Sequence, residues 1–360
     1  MRECIQLGVL LFDKCMQNLG SENAHLFRTV FKYGSTMYGL YGDMVLGVDG
    51  LVRYYSHPNE RRYELCDDRL LFFNEVDEVT AELTRVGEGQ VFLSGGLQRV
   101  FLLPTLVLDE HPAPLPDYPP MLINSIPKSG TYLVEGVLRH LGVAPIGLHL
   151  GSYIYDDNRG IEEADVHRAP QSRRHSLPAG ALAALMGRGE CVVGHIEDSF
   201  QLAAIDKLGV AKLNCIRDLR DVLISLYRFK LSTVDPLDVE DRLWRALPES
   251  GRFLGFLLHF ADRDVKHVQE VARAIAADVG VRLKFEELLT GQLTEDTSAA
   301  LAAIDGELAT AFSTKLPLVL GMPTSTLSDR PSSHEEHWSA AVQDFFEESG
   351  LAEANRMLGY

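Results

Sequence analysis

Five prolines fall within residues 111–120, a density that neither a helix interior nor a central strand tolerates. The segment is expected to be a linker, or a stiff lead-in to the next strand. It divides the chain into an N-terminal part, residues 1–110, and a larger part, residues 121–360.

The two parts are patterned differently. Residues 1–34 read as helical, because Leu7, Leu10, Leu11 and Cys15 fall at helical spacing. Residues 35–107 read as β-rich, with short apolar runs at 44–48, 51–55, 70–73 and 91–93. Asp49-Gly50 separates the first two runs and is a hairpin-type turn signal. After the prolines, short strands at 121–126, 191–193, 212–216 and 283–285 alternate with helical stretches. In the first of these stretches Leu133, Val134, Val137, Leu138 and Leu141 share one face, and Gly142 is a helix stop. The expected fold class is α/β: a mainly parallel sheet flanked by helices, with a smaller N-terminal helix-plus-β module of unknown role.

The formal net charge of −17 argues against a nucleic-acid binder, which usually presents a basic face. Five scattered cysteines show neither metal-ligand spacing nor a disulfide framework, so neither a metal nor an oxidising compartment is expected. No apolar run is long enough to span a bilayer, and the N-terminus lacks the pattern of an export signal. The expected location is cytoplasmic. The oligomeric state is left open.

The chemistry is carried by Pro127-Lys128-Ser129-Gly130-Thr131, set between a strand and a helix. The first amides of a helix lack intrahelical partners and gather positive potential, so this corner suits an anion. Gly130 allows close backbone approach, Lys128 adds a mobile charge, and Ser129 and Thr131 add hydroxyls. The lysine precedes the glycine, unlike a Walker A loop, which points away from ATP and GTP hydrolysis. The plain structural alternative is an ordinary corner with a solvated lysine. Further on, Arg217 ends the strand 212–216 and Ser225 follows eight residues later, about two helical turns along. An arginine at the carboxyl edge of such a sheet suits a phosphate. The alternative there is pairing of Arg217 with Asp218 or Asp221.

Together the two segments resemble PAPS-dependent sulfotransferases, which use 3′-phosphoadenosine-5′-phosphosulfate. PKSGTYL resembles that family's 5′-phosphosulfate loop, and IRDLRDVLISLYRF resembles its 3′-phosphate segment. The resemblance covers residues 121–360 and implies a P-loop-like sulfotransferase fold without a metal. It implies that Pro127, Lys128, Ser129, Gly130, Thr131 and the backbone of Tyr132 hold the donor's 5′ end, and that Arg217 and Ser225 hold its 3′-phosphate. The family's second Thr and Trp are replaced here by Tyr132 and Leu133. The stretch 283–289 and the tail from Trp338 to Tyr360 are weaker echoes. Residues 328–333 match the family's glycine-rich basic loop without its glycines, which leaves Arg330 as the candidate there.

His195 stands just past the strand 191–193 and resembles the family's general base, with Glu197 and His149 as substitutes. A neutral imidazole takes a proton from a hydroxyl at ordinary pH. The plain alternative is a histidine that caps the next helix or pairs with Glu197. Lys128 and His195 are thus the expected catalytic residues, with PAPS as donor and PAP (3′-phosphoadenosine-5′-phosphate) as product. The acceptor is expected to be a hydroxyl compound: a glycan, a lipid, a carrier-bound chain or a small natural product. Two other readings are a PAPS-binding regulatory module without transfer activity and a P-loop kinase. Two further features stand outside this scheme. The basic run 167–175 reads as a solvated loop or a lid. Tyr38, Tyr41, Tyr54, Tyr55 and Tyr63 read as core residues or as a sugar-stacking surface, and residues 50–60 faintly resemble small modules attached to carbohydrate-processing enzymes.

Overall fold

The computed structural model describes residues 21–360 apart from 88–89, 97–98, 112–113, 163–164, 167–169, 237, 321–333 and 335–336. The helical spacing at Leu7 to Cys15 lies outside the described residues. By contacts the chain forms two compact units, Met1–Pro114 with Gly180–Met186, and Leu115–Ala179 with Gly187–Tyr360.

The first unit holds an eight-stranded antiparallel sheet: β1 (Thr29–Ser35), β2 (Gly39–Leu46), β3 (Val52–Arg53), β4 (Arg62–Cys66), β5 (Arg69–Phe73), β6 (Val79–Arg85), β7 (Phe92–Leu93) and β8 (Val100–Val107). The order is β3-β2-β1-β8-β7-β6-β5-β4, and Leu51 bridges Arg62, so the two edge strands meet and protect each other. Residues 29–34, expected to be helical, form β1. Thr29–Ser35 carries the β-branched and aromatic residues Thr29, Val30, Phe31 and Tyr33 and is buried along nearly its whole length, as a strand requires, while the preceding Ser21–Arg28 forms a 3₁₀ helix. β8 carries Pro104, which sits where the β1–β8 register shifts, a place where a sheet accommodates a residue without an N–H. Phe31, Tyr33, Phe72 and Phe92 fill the core. Tyr63 is buried and donates to the Gly47 carbonyl at 2.6 Å, while Tyr41 and Tyr55 pack edge-on against Tyr33, and Tyr38 is exposed.

The second unit holds a seven-stranded sheet: β9 (Met121–Ser125), β10 (Ala144–Leu150), β11 (Tyr155–Asp157), β12 (Arg174–His175), β13 (Glu190–Gly194), β14 (Ala211–Ile216) and β15 (Val281–Lys284), in the order β12-β11-β10-β13-β9-β14-β15. From β10 to β15 every junction is parallel, whereas β10–β11 and β11–β12 are antiparallel. The chain is therefore mixed α/β. The expectation of a mainly parallel sheet describes this sheet only, because the larger sheet of the chain is antiparallel throughout. β9 is buried along its whole length, as a strand covered on both faces must be. Val134, Val137 and Leu138 of the helix Thr131–His140 pack on one face of the sheet with Met121, Ile123, Leu213 and Leu283. The proline-rich lead-in is tied down at its end: the Tyr118 carbonyl accepts from Gly189 at 2.8 Å and the Pro120 carbonyl from Ala211 at 2.9 Å. In the basic run, Arg174 pairs with Asp156 and His175 stacks on Tyr155, so its described part is anchored. Among the described residues no helix is long and apolar enough to cross a membrane.

Candidate active site

Three adjacent parallel strands, β13, β9 and β14, deliver one candidate each at their carboxyl ends. His195 follows β13, Lys128 follows β9 and Arg217 follows β14. β9 comes first in sequence and lies between strands added later on either side, so the chain changes direction there. That is the edge of an open α/β sheet where ligands bind.

The loop after β9 is shaped for an anion. Gly130 is the N-cap of the helix Thr131–His140 at φ 97°, and a Cβ there would meet the Phe285 ring at 2.9 Å. Lys128 itself adopts φ 70°, an uncommon and strained conformation for a residue with a side chain. Ser129 is buried, its hydroxyl turned back to the Ile126 carbonyl, while Thr131 and Ser125 share a hydrogen bond of 2.5 Å. The Lys128 ammonium is buried and has no hydrogen-bond acceptor among the described residues. It lies 4.2 Å from the centre of the Phe229 ring. Burial, reinforced by Arg217, lowers its pKa to about 8. Lys128 is thus a sequestered cation, and the alternative of a solvated lysine in a plain corner does not describe it.

Arg217 joins this corner directly. Its guanidinium donates to the Lys128 carbonyl at 3.2 Å and lies 4.3 Å over the Phe285 ring. Burial lowers its pKa as well. The alternative partners each have another contact: Arg220 grips Asp218, and His334 donates from its backbone amide to Asp221 at 3.1 Å, while both carboxylates also favour the charged form of Arg217. Asn355 accepts from the Leu219 amide at 2.8 Å, so the C-terminal helix Leu351–Leu358 braces the turn after Arg217. Ser225 lies on the helix Leu219–Ser232 four residues before Phe229, hence on the face whose ring meets Lys128. Arg330 lies outside the described residues; His334 meets Asp221 on the same helix.

His195 is held by β9. Asn124 accepts from the Ile196 amide at 2.8 Å, and His195 Nδ1 lies 2.6 Å from the Ser125 carbonyl. A carbonyl only accepts, so Nδ1 carries the proton and Nε2 keeps its lone pair. Burial first, then the neighbouring His149 and His267, hold His195 well below the usual imidazole range. It is therefore a neutral base at pH 7. The next helix, Ser199–Lys207, is capped by Asp198 rather than by His195. Glu197 lies 3.9 Å from His267, and the His149 ring is 4.7 Å from His195, with its Nδ1 3.3 Å from the Tyr132 hydroxyl. Both substitute bases therefore border the same corner.

Sequence reasoning missed Asn124, Ser125, Phe229, Phe285 and His267. The first two are ordinary strand residues and the rings are ordinary apolar positions; only the fold brings them to Lys128, Arg217 and His195. Among the described residues no group of three or more His, Cys, Asp or Glu is placed to hold a metal ion. The assembled site offers two buried cations, a helix N-terminus and a neutral imidazole, which suits an anionic substrate and removal of one proton.

No family model matches the chain, and no curated protein matches it. Among solved structures the chain is similar to the mouse sulfotransferase SULT7A1 complexed with PAP, at 12% identity and a TM-score of 0.39, over 67% of this chain and 87% of that one.

Proposed function

We propose that this chain transfers a sulfuryl group from PAPS to a hydroxyl acceptor, with residues 121–360 as the sulfotransferase domain on a P-loop-like fold. The observation that carries the reading is the convergence of Lys128, His195 and Arg217 at the carboxyl ends of three neighbouring parallel strands. The fit to the donor rests on the buried Lys128 ammonium, which has no hydrogen-bond acceptor among the described residues, and on the helix N-terminus that follows the left-handed Gly130.

In this reading the amides at the start of the helix Thr131–His140, with Lys128, Ser129 and Thr131, take the donor's 5′ end. Arg217 and Ser225 take the 3′-phosphate. His195 Nε2 accepts the proton of the acceptor hydroxyl. The acceptor oxygen bonds to sulfur as the bond from sulfur to the bridging phosphate oxygen breaks, in line, and PAP departs. Lys128 neutralises the charge that gathers on that leaving oxygen. The acceptor is a glycan, a lipid, a carrier-bound chain or a small natural product.

Arg217→Ala is expected to weaken PAP binding by about tenfold to a hundredfold, in keeping with loss of a charged hydrogen-bonded contact. Binding of AMP, which has no 3′-phosphate, should change little. Calorimetric titration of both ligands reads the difference, and equal losses would remove Arg217 from the 3′ site.

A further inference from the structure

We propose that Phe229 is a positioning residue for Lys128: its ring face holds the buried ammonium in its charged form, in the place a carboxylate would otherwise take. The consequence for transfer rests on the role given to Lys128 above, but the contact itself does not.

The argument begins with what surrounds the ammonium. Nζ lies 4.2 Å from the ring centre and has no hydrogen-bond acceptor among the described residues. The carboxylates of the neighbouring elements have other partners. Asp218 is held by Arg220, Asp221 by His334, and Glu286 by the Tyr360 hydroxyl, while Glu197 lies beside His267. The charged or titratable groups that act on Lys128 are Arg217, which disfavours its protonated form, and His195, whose own charged form Lys128 disfavours. Arg217 and burial therefore both oppose the ammonium. The ring is the group that favours it, because an aromatic face attracts a cation and more strongly so away from water.

A ring and a carboxylate would serve differently here. A carboxylate would neutralise the lysine and then compete with an incoming phosphate. A ring accepts no proton and occupies none of the ammonium's hydrogen-bond directions as an anion would. The cation stays charged and available. Ser225, one turn earlier on the same helix, lies on the same face, so a single helix face would serve both cationic residues of the site.

The test is a titration of Lys128 by NMR in protein labelled with ¹³C at lysine Cε, without donor or acceptor. The resonance is assigned by its absence in Lys128→Arg. Lys128 of the unsubstituted protein is expected to titrate near pH 8. In Phe229→Leu and Phe229→Met the midpoint should fall by about half a pH unit or more, the counterpart of a lost cation–π contact. Phe229→Tyr should restore it. The alkaline limb of the transfer rate should follow the same order. An unchanged midpoint in a folded Phe229→Leu or Phe229→Met protein, or failure of Phe229→Tyr to restore it, overturns the proposal. The shift in midpoint with no turnover of PAPS in any form would instead overturn the proposed function and leave the Phe229–Lys128 pairing standing.

Discussion

Lys128→Ala is expected to abolish sulfuryl transfer while leaving the protein at least as stable as before. Removing one pre-placed donor to developing charge lowers a rate by about a hundredfold to a thousandfold, and here the group removed is a full cation in a buried site. Stability should move the other way or not at all. A buried ammonium without a hydrogen-bond acceptor is costly to the folded state, and alanine removes that cost. The left-handed backbone at this position is retained, so no new strain is introduced. The paired measurement is the rate of PAP formation alongside a thermal unfolding scan. Retained turnover with PAPS would strip Lys128 of its role, and a large fall in Tm would show that the lysine serves the fold.

His195→Ala is expected to lower kcat by about a hundredfold to ten-thousandfold, the span typical of a lost general base. The pH behaviour distinguishes this from a loss of packing. His195 is held well below the usual imidazole range, so the acid limb of the rate should lie below pH 6.5. The same shift has a sign for stability. A histidine with a depressed folded pKa contributes fully above its unfolded value near pH 6.5, and that contribution is lost as the pH falls toward the folded value. The alanine variant should lose less stability over that acid range than the unsubstituted protein does. An acid limb at or above pH 7 would remove His195 from the role, and a wild-type rate in His195→Ala would move the base to Glu197 or His149, which border the same corner.

What was legible in the sequence were contiguous features. The loop 127–131 carries its strand, its glycine and its helix within a few residues, so its anion-binding shape follows from local rules. Arg217 and Ser225 are related by simple helical spacing. Their supports are not local: Phe229 reaches Lys128, Phe285 reaches both Gly130 and Arg217, and Asn124 with Ser125 fixes the loop at His195 across two strands. Nothing in the residue types marks these contacts. The β-rich N-terminal part was legible as a class, but its strands were not all visible. β1 falls in the stretch 1–34 that reads as helical from its earlier residues, and β8 carries Pro104 at a shift in the β1–β8 register, which no local pattern marks. The alternation of strands and helices indicated a parallel sheet but not its order, and it passed over the parallel strand β10, while the antiparallel strands β11 and β12 are too short and polar to announce themselves.

The central claim is tested most directly by incubating the protein with PAPS and pooled hydroxyl acceptors: glycans, lipids, carrier-bound chains and small natural products. PAP and sulfated product are then quantified by mass, with PAP binding followed calorimetrically on the same preparation. The account expects equimolar PAP and sulfated product from the unsubstituted protein, neither from Lys128→Ala, and tighter binding of PAP than of AMP. No product from any acceptor class, together with no preference for PAP over AMP, would contradict it.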